Sequence, residues 1–290
     1  MSELSGEETA DEIEARLLLE AIYRRYHYDF RGYAESSMRR RLYRAQQHFG
    51  CHSLSQLQDQ LLRDPGMLAE MLGFLTVQVS EMFRDPSFFR SLREKVVPHL
   101  RTYPSLKVWV AGCGDGEELY SLAILFREEG LESRTIFYAT DISPTALRRA
   151  EAGVYGLDRL QLFTTNHRMS GAKTSLSEYY SAGYGAAVFD RSLRARTVFS
   201  QHNLATDQVF AEVHLVTCRN VLIYFDRALQ DRTLALFRDS LVRGGFLGLG
   251  SGETPRFSAE AGSFPDFDSV ERVYRRALTL TERETALGRD

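Results

Sequence analysis

One stretch constrains the fold more than any other: Val108-Trp-Val-Ala-Gly-Cys-Gly-Asp-Gly-Glu-Glu-Leu-Tyr-Ser-Leu-Ala. An apolar, β-rich run (Leu106–Cys113) ends among three alternating glycines. A helical pattern follows at once, with Leu119, Leu122, Ala123 and Phe126 on one face. Glycine at 112, 114 and 116 lets the backbone turn sharply and lets a ligand approach it closely. The loop serves either as a tight strand–helix turn or as a site for a nucleotide-like ligand, and the glycines alone fit both.

The same strand–helix grammar returns along the chain. Thr135–Asp141 reads as a second strand and Pro144–Ala152 as a second helix. Val213–Arg219, Arg227–Arg243 and Phe246–Ser251 repeat strand, helix, strand. This alternation predicts an α/β fold, a parallel sheet with helices on both faces. The stretch from about 157 to 200 breaks the pattern with polar loops, Gly183 and Gly185, then Ala187-Val-Phe and Thr197-Val-Phe. It reads as a small inserted antiparallel β-subdomain.

Upstream, helical periodicity stands alone: Leu17, Leu18, Ala21 and Ile22 share one face, and Leu54, Leu57, Leu61 and Leu62 another. The expected organisation is an acidic tail over 1–14, an all-helical domain over 15–85 and an α/β domain over 86–290. Asp85-Pro86 suits a helix start, with Asp as N-cap and Pro in the first turn. A length of 290 residues, 43% hydrophobic and 26% charged, accommodates two folded domains and excludes wholesale disorder.

No run approaches the roughly 18 apolar residues of a membrane helix. The acidic start lacks a basic segment followed by an apolar core, so no secretory leader is expected. Three cysteines without CxxC spacing argue against a disulfide framework or a zinc site. The seven histidines show no metal-binding spacing, so no metal is expected. A reduced, cytoplasmic protein is the expectation. A net charge of −3 is too small to indicate a nucleic-acid partner.

The glycine spacing is GxGxG rather than GxGxxG, and Glu117 and Glu118 stand where a pyrophosphate would want helix N–H groups without a competing anion. That disfavours an NAD-type dinucleotide and suits a cationic ligand. S-adenosylmethionine fits, with its sulfonium, its ammonium and no phosphate. Asp141, at the end of the second strand, is placed to accept ribose hydroxyls, or to cap the helix at Pro144.

Six pieces then occur in one order: Thr76-Val-Gln-Val-Ser-Glu-Met-Phe-Arg-Asp-Pro, the glycine loop running into Glu-Glu-Leu-Tyr-Ser-Leu-Ala, Ala139-Thr-Asp-Ile-Ser, His202-Asn-Leu, Cys218-Arg-Asn-Val-Leu-Ile-Tyr-Phe-Asp, and Gly245-Phe-Leu-Gly-Leu-Gly-Ser-Gly-Glu. With these the chain resembles the CheR-type glutamate O-methyltransferases of bacterial chemotaxis receptors. The resemblance implies a helical N-terminal domain before a Rossmann-like methyltransferase domain with a small β-subdomain inserted. It implies S-adenosylmethionine as methyl donor and S-adenosylhomocysteine as product.

Carried over residue by residue, the resemblance implies cofactor contacts from Gln78, Ser80, Arg84, Gly112, Gly114, Glu118, Asp141, Asn203, Leu204, Arg219 and Asn220. Glu118 would take the methionine amino group, Asp141 the ribose, and Asn203 and Leu204 the edge of the adenine. Arg219, Asn220 and Tyr224 would line the reacting end, with Arg84 and Tyr224 orienting cofactor and acceptor carboxylate. The sequence departs from the family at Gln78, where Asn is common, and at Ser80, where Thr is common. The loop Cys113-Gly-Asp-Gly-Glu-Glu-Leu replaces Cys-Ser-Thr-Gly-Glu-Glu-Pro.

A glutamate carboxylate, with a pKa near about 4.3, is already a nucleophile at neutral pH, so a general base is unnecessary. The basic cluster Arg39, Arg40, Arg41 and Arg44 is, on composition alone, a solvated helical face or a nonspecific RNA-binding one. The resemblance makes it the element that meets the acidic coiled coil of a methyl-accepting receptor. The expected partner is therefore such a receptor, with no nucleic acid, no membrane insertion and a monomeric state. The alternative is a methyltransferase-like module that senses S-adenosylmethionine or docks to signalling proteins without turnover. Gly183 and Gly185 shorten the edge a receptor's C-terminal peptide could pair with, so no tether is expected.

Overall fold

The structure, a computed structural model, describes residues 8–76 and 80–277. The chain divides into two compact units. One holds Met1–Val77 together with Tyr224–Leu229, and the other holds Gln78–Ile223 and Gln230–Asp290. The first unit thus ends ahead of the boundary expected at 85, and it takes in a segment from late in the chain.

The helical unit begins with α1 (Ala10–Tyr26). Thr9 and Glu12 close a capping box at its start, the Thr9 hydroxyl accepting from the Glu12 N–H while Glu12 accepts from the Thr9 N–H at 2.8 Å. Its core face is Leu18 and Ile22, whereas Leu17 is exposed. α2 (Glu35–His48) buries Met38, Arg41, Leu42 and Ala45. α3 (Leu54–Arg63), capped by Ser53, buries Leu54, Leu57 and Leu61 but leaves Leu62 out. α4 (Leu68–Leu75) buries Met71, Leu72 and Leu75. Residues just before α2 pair with the late segment: Tyr33 and Phe225 form an antiparallel bridge, and the Ala34 N–H donates to the Tyr224 carbonyl at 2.7 Å.

The second unit opens with α5 (Pro86–Ser91), which passes through a π-helical turn at Leu92–Val96 into α6 (Val97–Leu100). Pro86 holds the expected first-turn position. Asp85 is left-handed at φ 56° and makes no side-chain cap. The sheet that follows comprises β1 (Leu106–Ala111), β2 (Thr135–Asp141), β6 (Thr197–Gln201), β7 (Val213–Cys218), β8 (Leu241–Leu249), β9 (Asp266–Asp268) and β10 (Val273–Arg275). Their spatial order is β6-β2-β1-β7-β8-β10-β9, parallel from β6 to β8, with β10 and β9 added antiparallel. Between strands lie α7 (Glu117–Glu128), α8 (Pro144–Ala152), α9 (Leu160–Met169) and α10 (Arg227–Ser240). α7 is buried along nearly its whole length, as a central helix over a parallel sheet must be.

The inserted sheet is smaller than expected. It consists of β3 (Val154–Gly156), β4 (Tyr180–Gly183) and β5 (Ala186–Phe189) in the order β3-β5-β4, all antiparallel. Ala187-Val-Phe belongs to it. Thr197-Val-Phe does not: β6 pairs in parallel with β2 from Phe137↔Thr197 to Asp141↔Gln201 and forms an edge of the main sheet. The insertion is clamped to its host by a buried network. Glu128 at the end of α7 meets the Arg93 guanidinium and accepts from Tyr179 and Thr174, both at 3.2 Å, with the His167 ring nitrogen at 3.1 Å. Burial alone would raise its carboxyl, but His167 and Arg93 outweigh that and hold it down at about 2.

Candidate functional site: the carboxyl ends of the parallel strands

The loops that leave β1, β2, β6, β7 and β8 lie at the carboxyl end of the sheet, where open α/β sheets place their ligands. After β1 the Cys113 N–H donates to the Thr140 carbonyl at 2.9 Å, which ties the glycine loop to the end of β2. Gly112 is left-handed at φ 70°, and a β-carbon there would stand 2.7 Å from the Val221 side chain. The loop therefore packs flush against the segment after β7. Asp141, closing β2, accepts from the Gly114 N–H and the Ser143 N–H, each at 2.9 Å. The helix cap at α8 falls to Ser143 instead. Burial pushes the Asp141 carboxyl above the usual aspartate range, against the pull of those two donors.

After β6, Asn203 and Leu204 are both 8% exposed. The Asn203 side-chain oxygen accepts from the Ala205 N–H at 3.0 Å, while its amide nitrogen is buried without a partner among the described residues. Such an orphaned donor is costly unless something accepts from it.

Ser80 to Asp85 is pinned by side chains from four places. Arg159 reaches the Ser80 carbonyl, Asn166 donates to the Met82 carbonyl at 3.1 Å, and the Phe83 N–H donates to Ser121 at 2.7 Å. Arg219 donates to the Arg84 carbonyl at 2.9 Å. Phe83 and Asp85 both have positive φ, at 52° and 56°, a costly geometry held by these contacts. The Arg84 guanidinium itself has no ion-pair partner among the described residues. Gln78 lies outside the described residues.

Arg219 is enclosed at the end of β7. Its side chain is 1% exposed, pairs with Asp85 at 2.8 Å and Glu118 at 3.2 Å, and lies over the Phe88 ring. Two carboxylates, a carbonyl and a ring engage the guanidinium, while its Nε is buried without a partner among the described residues. One Glu118 oxygen is engaged by it. Glu117, fully buried, pairs with Arg159 at 2.8 Å and keeps one oxygen without a partner among the described residues.

Asn220 follows with φ 61°, its N–H held by Glu253 at 2.9 Å. Glu253 and Arg159 carry these loops; Glu253 ends the Gly245–Glu253 motif without a role that the sequence assigns, and Arg159 lies in no motif. The available signal for Glu253 was an acidic residue three positions past a glycine at the end of an apolar strand. Tyr224 falls in the helical unit, where the Arg41 guanidinium lies 4.4 Å from its ring centre.

Within that unit, the basic cluster on α2 is divided. Arg41 is 5% exposed and donates to the Leu75 carbonyl at the end of α4. It shares the buried face with Met38, Leu42 and Ala45, so it is not part of an exposed docking surface. Arg39 is paired with Glu12 at 2.7 Å and Glu35 at 2.6 Å. Arg40 and Arg44 are exposed, without an ion pair among the described residues, along a shallow groove also lined by the paired Glu12, Glu35 and Arg39 and by Ser36, Tyr43 and Gln47.

The groups in the methyltransferase-like unit match the chemistry of S-adenosylmethionine. A strand-end carboxylate suits ribose hydroxyls, an acidic glycine loop suits a cation, and an orphaned buried amide suits a ring nitrogen. No group of side chains suited to a metal occurs among the described residues. No helix among them is long and apolar enough to cross a membrane.

Comparison with known proteins agrees. The family model described as CheR methyltransferase, SAM binding domain, matches residues 78–266, and the one described as CheR methyltransferase, all-alpha domain, matches 13–76. A Pseudomonas putida protein, provisionally named methyltransferase Cher3, is 52% identical over 94% of this chain and all of its own length. A chemotaxis protein methyltransferase of Listeria innocua is 32% identical over 67% of this chain and 71% of its own. The chemotaxis protein methyltransferase 1 of Pseudomonas aeruginosa is 31% identical over 73% and 80%. With that sheet, that glycine loop and both domain types matched end to end, the chain belongs to the CheR methyltransferase family and is an S-adenosylmethionine-dependent methyltransferase.

Proposed function

We propose that this protein transfers the methyl group of S-adenosylmethionine to glutamate γ-carboxylates of a chemotaxis receptor or similar acidic, coiled-coil signalling protein in the cytoplasm. The observation that carries the choice of acceptor is Arg40 and Arg44 on α2, exposed and without an ion pair among the described residues, in a chain whose net charge is −3. A localised basic stripe on an acidic protein selects an acidic partner through its field. The names of the Listeria and Pseudomonas relatives point the same way.

S-adenosylmethionine supplies an electrophilic methyl on a sulfonium when bound. Asp141 and Gly114 would hold its ribose side, Glu118 its amino group, and Asn203 and Leu204 its base, with Ser80 and Gly112 offering backbone along it. Asn220 would border the reacting end. Among the described residues the Arg84 guanidinium meets no carboxylate, and it offers a planar fork to an incoming one. Catalysis on this reading is alignment of two reactants that need no proton moved. Incubation with tritiated S-adenosylmethionine and receptor-bearing membranes tests it: base-labile release of labelled methanol is expected, and base-stable label would reassign the acceptor.

A further inference from the structure

At the ends of β7 and β8, where Cys218 and Leu249 stand in register, one carboxylate gathers four backbone N–H groups. Glu253 Oε2 accepts from Gly250 at 2.6 Å and from Asn220 at 2.9 Å. Its Oε1 accepts from Val221 at 2.8 Å and from Ile223 at 3.3 Å. The residue is 4% exposed. No ion pair to it occurs among the described residues; burial pushes its carboxyl above the usual glutamate range, and the four N–H groups pull against that. A buried anion with every lone pair directed at an N–H is a rigid arrangement. Its geometry fixes three of the four residues Asn220 to Ile223 and holds Asn220 in a left-handed conformation that a free loop would leave.

Two neighbours show how closely the arrangement is fitted. A β-carbon on Gly250 would stand 2.7 Å from Glu253 Oε2 and 2.8 Å from the Asn220 nitrogen, so only glycine permits the approach. Val221, held through its N–H, presses its side chain against Gly112 of the glycine loop. The carboxylate thus sets the segment after β7 and, through Val221, the face that this segment turns to the glycine loop.

We infer that Glu253 is a positioning residue for methyl transfer: it reaches no reactant itself and holds the Asn220–Ile223 segment in the shape that the cofactor requires. The inference rests on the reading that Asn220 borders S-adenosylmethionine. Glutamine at 253 keeps the shape of the side chain but offers one acceptor oxygen and turns an NH₂ group toward N–H donors.

The test uses the full-length protein. For Glu253→Gln, the dissociation constant of S-adenosylhomocysteine by calorimetry should rise about tenfold, with kcat falling by a larger factor. Hydrogen exchange at the 219–224 amides should speed up, while exchange in the β2–α8 region stays as in the unaltered protein. Wild-type affinity and turnover with accelerated loop exchange would overturn the inference, since the carboxylate would then serve stability alone. Unchanged exchange would overturn it as well. If Glu253→Gln does not fold, Gly250→Ala crowds the same carboxylate from the other side and is read in the same way. Asn220→Ala separates the two readings. Normal cofactor binding by that variant removes Asn220 from the cofactor site. A defect there beside a normal Glu253→Gln protein refutes only the positioning role.

Discussion

In the methyltransferase unit the key carboxylates point inward and meet backbone N–H groups, as Asp141 does at Gly114 and Ser143. In the helical unit Arg40 and Arg44, without an ion pair among the described residues, are exposed to water. The first kind of contact is short, directional and shielded from ions. The second acts through a field that salt screens within about 8–10 Å at ordinary ionic strength. One surface is therefore built to hold a small ligand in a single pose, the other to attract a large one. The two should separate under mutation and salt.

The largest effect is expected at the group between these regimes, a guanidinium on a rigidly held backbone. Arg84→Ala should lower turnover by about 100-fold or more, because misaligned reactants lose most of the advantage of proximity. S-adenosylhomocysteine affinity should fall much less. Equal losses in both would make Arg84 a binding residue only, and no loss in either would remove the Ser80–Asp85 segment from the site.

Asp141→Ala comes next. Removing a charged acceptor of ribose hydroxyls should weaken S-adenosylhomocysteine binding by about 1.5–3 kcal/mol. Calorimetry at low and high salt should give the same loss, since the contact is buried. Unchanged affinity would mean that the adenosine lies elsewhere.

Charge reversal on α2 should have a smaller effect of the opposite kind. Arg40→Glu with Arg44→Glu should cut kcat/KM for the receptor about tenfold at low salt, through slower association. The deficit should shrink as salt is added, and cofactor affinity should stay at its original value. A salt-independent deficit would point to direct contacts or to a disturbed fold.

The contrast between the units also decides what a sequence reader could see. Repeating strand–helix units and the glycine loop are local patterns, and they stand in the structure where periodicity puts them. Contacts between distant segments are not local. Asp85-Pro86 has the form of a helix cap, yet the Asp85 carboxylate turns to Arg219, 134 residues away. Thr197-Val-Phe has the form of a subdomain strand, but its partner is β2, some 60 residues upstream, and a short apolar run does not declare its partner. Arg41 looks like Arg40 in a list of charges. Its position one turn from Met38 and Ala45 puts it inside, and only the packing of α4 shows what receives it. For the site residues, the sequence supplies their types and order; Glu253 closes the sixth of the motif pieces but nothing local shows that it holds the segment after β7, and Arg159 lies in no motif.

The smallest effect is expected at the inserted sheet. A receptor tail held by strand addition would need a free edge, with main-chain bonds giving the affinity. The edges here are β3, three residues long, and β4, four residues long. β4 ends at Gly183, directly before a two-residue hairpin turn in which Tyr184 and Gly185 both have positive φ, 52° and 81°. A four-residue edge strand presents about two outward N–H groups, and glycine at its end gives no side chain to pack on an incoming strand. Val154 and Val188 do lie exposed on one face of this sheet, paired across β3 and β5, but a face offers no ladder. We therefore expect that deleting the last few residues of the receptor changes its methylation rate by less than about twofold, because this edge adds less than about 0.4 kcal/mol. A loss of tenfold or more, insensitive to the α2 charge reversal, would move the main docking contact from the arginine stripe to the small sheet.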